Sequence, residues 1–193
     1  MSGEREGLPR GLVPFLLVAA MFALPLLIAS WMYYGNGALV PEGRTNHGTL
    51  LEPIVNVRER LPGSEAAALS DEHWLLVYAH EGQCAQSCRA ALFRLRQSRL
   101  MLGPDMDRVQ RVFLHGDEAP DRVFLEEEHA GLAVFHDPGL ARLLTEKRPQ
   151  RLTSGGLFLI DPLGNLVMYF SPDIAPGDMV DDIEHLLEVS QIG

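Results

Sequence analysis

Positive charge is what this 193-residue chain is short of: 16 basic residues stand against 26 acidic ones, a formal net charge of −10. A surface that grips nucleic-acid phosphates needs clustered positive charge, so the composition argues against a nucleic-acid partner. The local exception is a run carrying Arg89, Arg94, Arg96 and Arg99, which reads as the solvated face of a helix. Internal repeats and low-complexity tracts are also missing. Cysteine is scarce. Cys84 and Cys88 are the whole supply, so any thiol chemistry is confined to one place. The apolar fraction, 47%, is ordinary for a globular protein, and any membrane segment must therefore be local. The length leaves room for one domain with a proper core, plus an appendage.

What is there is organised around residues 73–102, HWLLVYAHEGQCAQSCRAALFRLRQSRLML. Trp74 to Ala79 has the composition of a buried strand. A short polar turn, His80 to Gln83, leads to the cysteines, and helical spacing then runs to about Met101. Cys88, Ala91, Leu92 and Leu95 share one face, and Gly103-Pro104 stops the helix. A thiol at a helix N-terminus sits beside unpaired N–H groups and the positive end of the dipole, which favours its thiolate. Cys84 is better placed for this than Cys88. Cysteines four apart in such a turn can form a disulfide or share a soft metal ion; the alternative is two free thiols, one surface and one core.

In chain order, residues 1–10 read as a short head. Residues 11–34 run without a charge and are long enough to cross a ~30 Å bilayer core as a helix. Trp31, Tyr33 and Tyr34 lie where an interfacial belt would be. A cleaved signal peptide is the rival, but the run is long for one and Ser30-Trp31-Met32 is a poor cleavage site. A short head before a long globular part suggests that the latter is translocated, into the periplasm in a bacterium. Residues 35–63 read as a tether that can add a short edge strand through Leu50, Leu51, Ile54, Val55 and Val57. Residues 64–193 read as the domain, beginning with a helical turn at Glu65 to Ser70.

Beyond the cysteine helix the spacing predicts a strand at Arg108 to His115, a helix at Pro120 to Glu128 and a strand at Leu132 to Phe135. A helix at Pro138 to Glu146 follows, with Asp137 as N-cap. Gly156 to Ile160 and Asn165 to Phe170 form a hairpin about Asp161-Pro162-Leu163-Gly164, and an amphipathic helix closes the chain at Pro176 to Val189. Parallel crossovers first and an antiparallel hairpin last is the thioredoxin order: an α/β fold with a central mixed sheet flanked by helices.

VYAHEGQCAQSC followed by a helix, with LFLIDPLGNLVMYF near the C-terminus, resembles the Sco/SenC family, over roughly Glu72 to Glu188. That resemblance implies a membrane-anchored thioredoxin-like protein that helps assemble cytochrome c oxidase, by delivering copper or by reducing the oxidase's cysteines. Its partner would be an oxidase subunit or another assembly factor. Cys84 and Cys88 match the family's two cysteines, which serve as redox pair and copper ligands. Asp161, Pro162 and Gly164 match its hairpin. The family's third copper ligand, a histidine, falls here on Thr153, and the proline usual after the first cysteine is missing from Ala85-Gln86-Ser87.

Two thiolates and a threonine hydroxyl make a poor Cu(I) site, because the hydroxyl is hard. His80, four residues before Cys84, is the speculative substitute, with His115 and His136 more remote. Thiol–disulfide exchange, with Cys84 attacking and Cys88 resolving, therefore ranks above copper carriage. A non-catalytic tethered module with a structural disulfide is the third reading. The cis-proline that faces the pair in ordinary thioredoxins is absent from Thr153-Ser154-Gly155-Gly156, which argues against general reductase activity and leaves a narrow partner-specific role open. A peroxidase of the peroxiredoxin kind fits poorly, since Glu81-Gly82-Gln83 stands where its Pro and Thr or Ser would be.

Overall fold

The computed structural model describes residues 12–34, 46–149 and 155–190. They fall into two units that divide between Thr45 and Asn46. The first contains helix α1, Leu12–Tyr34, 23 residues without a charge and with Pro25 inside it. Its described side chains are exposed, among them Phe15, Met21, Phe22, Leu26 and Trp31.

The second unit is built on a six-stranded sheet. Its strands are β1 (Thr49–Asn56), β2 (Trp74–His80), β3 (Val109–His115), β4 (Ala133–Phe135), β5 (Gly156–Ile160) and β6 (Asn165–Phe170). Their spatial order is β1-β6-β5-β2-β3-β4. β2, β3 and β4 run parallel, while β5 and β6 are antiparallel to their neighbours and β1 pairs antiparallel with β6. The helices are α2 (Val57–Arg60), α3 (Glu65–Ala68), α4 (Gln86–Met101), α5 (Arg122–Glu128), α6 (Pro138–Lys147) and α7 (Pro176–Val189).

Alternation along the strands divides the core into two layers. Trp74, Leu76 and Tyr78 of β2 pack with Cys88, Leu92 and Leu95 of α4 and with Met179, Ile183 and Leu187 of α7. Leu75 and Val77 face the other way, onto Leu140, Leu143 and Leu144 of α6. β2 is therefore buried on both faces, which is why it reads as an unbroken apolar run. Each fully buried leucine in these layers contributes about 1.5–3 kcal/mol of transfer free energy.

The local signals hold where a named interaction enforces them. Asp137 caps α6 by accepting from the Leu140 N–H at 2.9 Å. Asp161 organises the hairpin: its Oδ1 accepts from the N–H groups of Leu163 and Asn165, at 3.0 and 2.7 Å. Gly164 closes that turn at φ +85°, a backbone region open mainly to glycine.

The edge strand allowed for between Leu50 and Val57 forms, as β1. It moves the boundary read from the sequence: from Asn46 onward, what read as tether belongs to the folded unit. A buried carboxylate secures its start, since Asp182 on α7 accepts from the His47 and Gly48 N–H groups at 3.0 and 2.6 Å. The arginine face of α4 is also less wet than expected. Arg94 donates to the Pro172 carbonyl at 3.1 Å, Arg99 donates to the Val109 carbonyl at 2.7 Å, and Arg96 donates to the Glu128 carbonyl. Arg89 lies 4.1 Å from the Phe124 ring centroid, a cation–π contact. These side chains tie α4 to its neighbours.

Candidate redox site

β2 delivers the chain to the end of the sheet at His80, and α4 leaves from Gln86. The intervening turn holds Gly82 at φ +84°. Cys84 lies just before the helix, Cys88 in its first turn, and the two are joined as a disulfide with Cα atoms 5.0 Å apart. This separation lies inside the range that a disulfide requires. The two sulfurs have different surroundings. Cys88 is fully buried in the layer beneath α4, whereas Cys84 is partly exposed and flanked by exposed Gln83, Ala85 and Gln86.

The helix start is chemically open. Ala85 occupies the N-cap in extended conformation and has no side chain to accept from the first-turn N–H groups; no acidic residue stands in that turn. Those donors and the positive end of the α4 dipole are therefore left for an anion at Cys84. A thiolate released there by reduction is the anion nearest to hand.

Tyr78, a residue that sequence reasoning passed over, lies in the core layer that holds Cys88. Its hydroxyl lies 3.4 Å from His80 Nδ1, and their rings stack with centroids 5.9 Å apart. Burial pushes the Tyr78 phenol up to about 12, so it stays neutral at physiological pH. The signal was its phase on β2, shared with Trp74 and Leu76, which puts it on the α4 side of the sheet.

His80, His115 and His136 gather at one end of the sheet. His80 pairs in register with His115 across β2 and β3, and the His115 and His136 rings approach to 5.4 Å. His80 Nε2 lies 3.1 Å from the Gln83 carbonyl oxygen. Among the described residues, no three His, Cys, Asp or Glu side chains are grouped so as to hold a metal ion. His80 thus does not join the two cysteines as a ready third ligand in this oxidised form. Thr153, the position that matches the missing histidine, lies outside the described residues, as does Ser154. A cleft of about 710 Å³ beside the turn is lined by Glu81, Gly82, His115, Asp117 and His136, with neither cysteine on its wall.

A mixed sheet with a cysteine pair at the start of the helix after its first parallel strand defines a thioredoxin-like protein. The chain belongs to the family described as "Transmembrane-like, thioredoxin-like, C-terminal domain", whose match covers residues 74–190. No curated protein sequence matches it.

Among solved structures it is similar to yeast Sco1, at 18% identity and TM-score 0.53, over 66% of this chain and 87% of that one. Copper-bound ScoI of Arabidopsis thaliana is similar at 15% identity and TM-score 0.51, over 64% and 89% of the two chains. Copper-bound yeast Sco1 gives 15% identity and TM-score 0.50, over 64% and 81%. These likenesses establish a Sco-like thioredoxin fold.

Proposed function

We propose that this protein is a membrane-anchored thiol–disulfide exchange factor in the assembly of a haem–copper oxidase, working through Cys84 and Cys88. The observation that carries the reading is the asymmetry of the disulfide: Cys84 is partly exposed at an uncapped helix start, and Cys88 is buried behind it. An exchange factor needs an accessible attacking thiolate and a sheltered resolving thiol. In the reaction the Cys84 thiolate attacks a sulfur of the partner's disulfide and displaces the other partner sulfur as a thiolate. The Cys88 thiol then loses its proton to solvent and attacks Cys84 in the mixed disulfide. The pair ends oxidised and the partner reduced by two electrons.

The oxidase pathway is supported by the Sco-like fold and by the match of Cys84, Cys88 and the Asp161–Gly164 hairpin to the family pattern. Anchoring is supported by the sequence of residues 11–34, which carry no charge and are numerous enough, at ~1.5 Å rise per residue in a helix, for a ~30 Å bilayer core. Among the described residues no helix is long and apolar enough to cross a membrane, so the anchor, with the second unit in the periplasm, belongs to the proposal. Deleting the gene in its own organism is expected to lower assembled oxidase, read from its haem spectrum. The wild-type gene restores it and Cys84→Ser does not. Full rescue by Cys84→Ser contradicts the reading.

Copper carriage is the second reading, favoured by the copper-bound state of the similar Arabidopsis and yeast proteins. After reduction, Cys84 and Cys88 supply two soft sulfur donors close together. The third ligand of that reading is His80, which must leave its contact with the Gln83 carbonyl to reach the sulfurs. Anaerobic Cu(I) titration of the reduced protein against a competing chelator tests this. One ion bound tightly and lost in His80→Ala would place copper first; no competitive binding leaves exchange.

A further inference from the structure

Cys84 sits at the centre of a three-residue turn: the Ala85 N–H donates to the Gln83 carbonyl at 2.8 Å and closes the chain around it. The same carbonyl lies 3.1 Å from His80 Nε2. A carbonyl only accepts, so Nε2 carries the proton, and Nδ1 of the neutral ring is left as an acceptor. The Tyr78 hydroxyl, 3.4 Å from that Nδ1, is protonated at physiological pH and supplies the matching donor. Tyr78, His80 and Gln83 therefore form one chain of hydrogen bonds, running from the core layer to the residue before Cys84.

The turn has few other restraints. Glu81, Gly82, Gln83 and Ala85 are exposed, Gly82 has φ +84°, and Ala85 offers no side-chain cap. The second anchor is the backbone of Gly116, just past the end of β3. Its N–H donates to the His80 carbonyl at 3.0 Å. A Cβ on Gly116 would stand 3.2 Å from Glu81 Cα and 3.4 Å from the Gly82 nitrogen, so the turn rests directly on the glycine. The Gly116 carbonyl is met in turn by Nδ1 of His115 and of His136, at 2.7 and 3.1 Å.

We propose that His80 is a positioning residue for the redox pair: by holding the Gln83 carbonyl, it keeps Cys84 at the short distance from Cys88 that the disulfide needs. That distance is 5.0 Å between Cα atoms. In the oxidised protein the S–S bond itself restrains Cys84. In the reduced protein the His80 bond and the Gly116 seat restrain it, and less entropy is left to lose when the disulfide closes. Preorganisation of this kind raises the effective concentration of one thiol toward the other. The biological use of this device rests on the exchange reading, since a pair that closes readily releases its partner from the mixed disulfide. The equilibrium itself belongs to the disulfide alone.

The test equilibrates the full chain, in neutral detergent, with glutathione redox buffers. One protein disulfide and two glutathione thiols exchange for the protein dithiol and one glutathione disulfide, so the constant reads the effective concentration directly. His80→Ala should lower that concentration about five- to tenfold, the equilibrium equivalent of one net hydrogen bond. At 29.6 mV per tenfold change, the potential then rises by about 20–30 mV. His80→Gln keeps an N–H donor for the Gln83 carbonyl and should recover most of the loss. Gly164→Ala, which strains the hairpin without touching the turn, should leave the constant unchanged. If His80→Ala does not fold, Gly116→Ala disturbs the same turn from its other side and should shift the constant the same way. A constant unmoved by His80→Ala, or moved as far by Gly164→Ala, overturns the proposal and leaves the exchange reading intact. A wild-type potential in the range of structural disulfides would instead remove that reading, with the His80 effect still measurable.

Discussion

Cys84 and Cys88 share a bond across 5.0 Å of Cα separation, yet one sulfur-bearing residue is partly exposed and the other has no exposed surface. The order of reaction follows from that difference. In the reduced protein, iodoacetamide should label Cys84 at least ~10 times faster than Cys88, as expected for a reachable thiolate beside a sheltered thiol. Cys88→Ser should trap mixed disulfides with a partner, and Cys84→Ser should trap none. Equal labelling rates by mass spectrometry would remove the assignment of attacking and resolving roles.

The open helix start supplies a second prediction. Ala85 has extended backbone geometry suited to an N-cap but no side-chain acceptor. Ala85→Asp should stabilise the fold by about 1 kcal/mol through new capping bonds. The same carboxylate occupies the first-turn donors and repels a thiolate at Cys84, so exchange should slow. Denaturant melts and the rate of reaction with a disulfide reagent read the two effects separately. A more stable protein with unchanged exchange would show that the α4 donors do not serve Cys84.

The hairpin offers a stability prediction remote from the thiols. A Cβ on Gly164 would stand 2.6 Å from Arg58 Nε, and its φ of +85° is strained for any side chain. Gly164→Ala should cost about 1–2 kcal/mol, read as a lower denaturation midpoint. A neutral substitution would mean that the turn relaxes freely.

Two buried rings set opposite pH limits. Burial raises the folded-state pKa of Tyr78 to about 12, above its ordinary 10.0. Its contribution is whole below pH 10 and is lost as pH climbs toward 12, where the unfolded phenol ionises first. For His129, burial and the charges of Arg96 and Arg111 lower the pKa from 6.5. The unfolded chain then binds the proton first, so stability falls as pH drops below 6.5. Tyr78→Phe and His129→Gln should flatten the alkaline and acid limbs respectively. Limbs unchanged in both variants would assign the pH dependence elsewhere.

The sequence disclosed the parts of this fold that repeat a local pattern. β2 was legible because both its faces are buried, α6 because Asp137 caps it, and the hairpin because Asp161 and Gly164 are turn residues in register. The cysteine pair was legible from its position between a strand and a helix. What escaped notice depends on long-range contact. The edge strand itself was foreseen, but the tie of its start to Asp182, 134 residues from Gly48, left no mark on residues 46–56 themselves. The roles of Arg96 and Arg99 were hidden by their neighbours on α4.

The measurement that bears most directly on the central claim is the reduction potential of the Cys84–Cys88 bond, taken on the full chain in detergent by equilibration with glutathione buffers. An exchange factor predicts a value above about −300 mV, within reach of physiological dithiols. A value well below that would mark a structural disulfide and contradict the account.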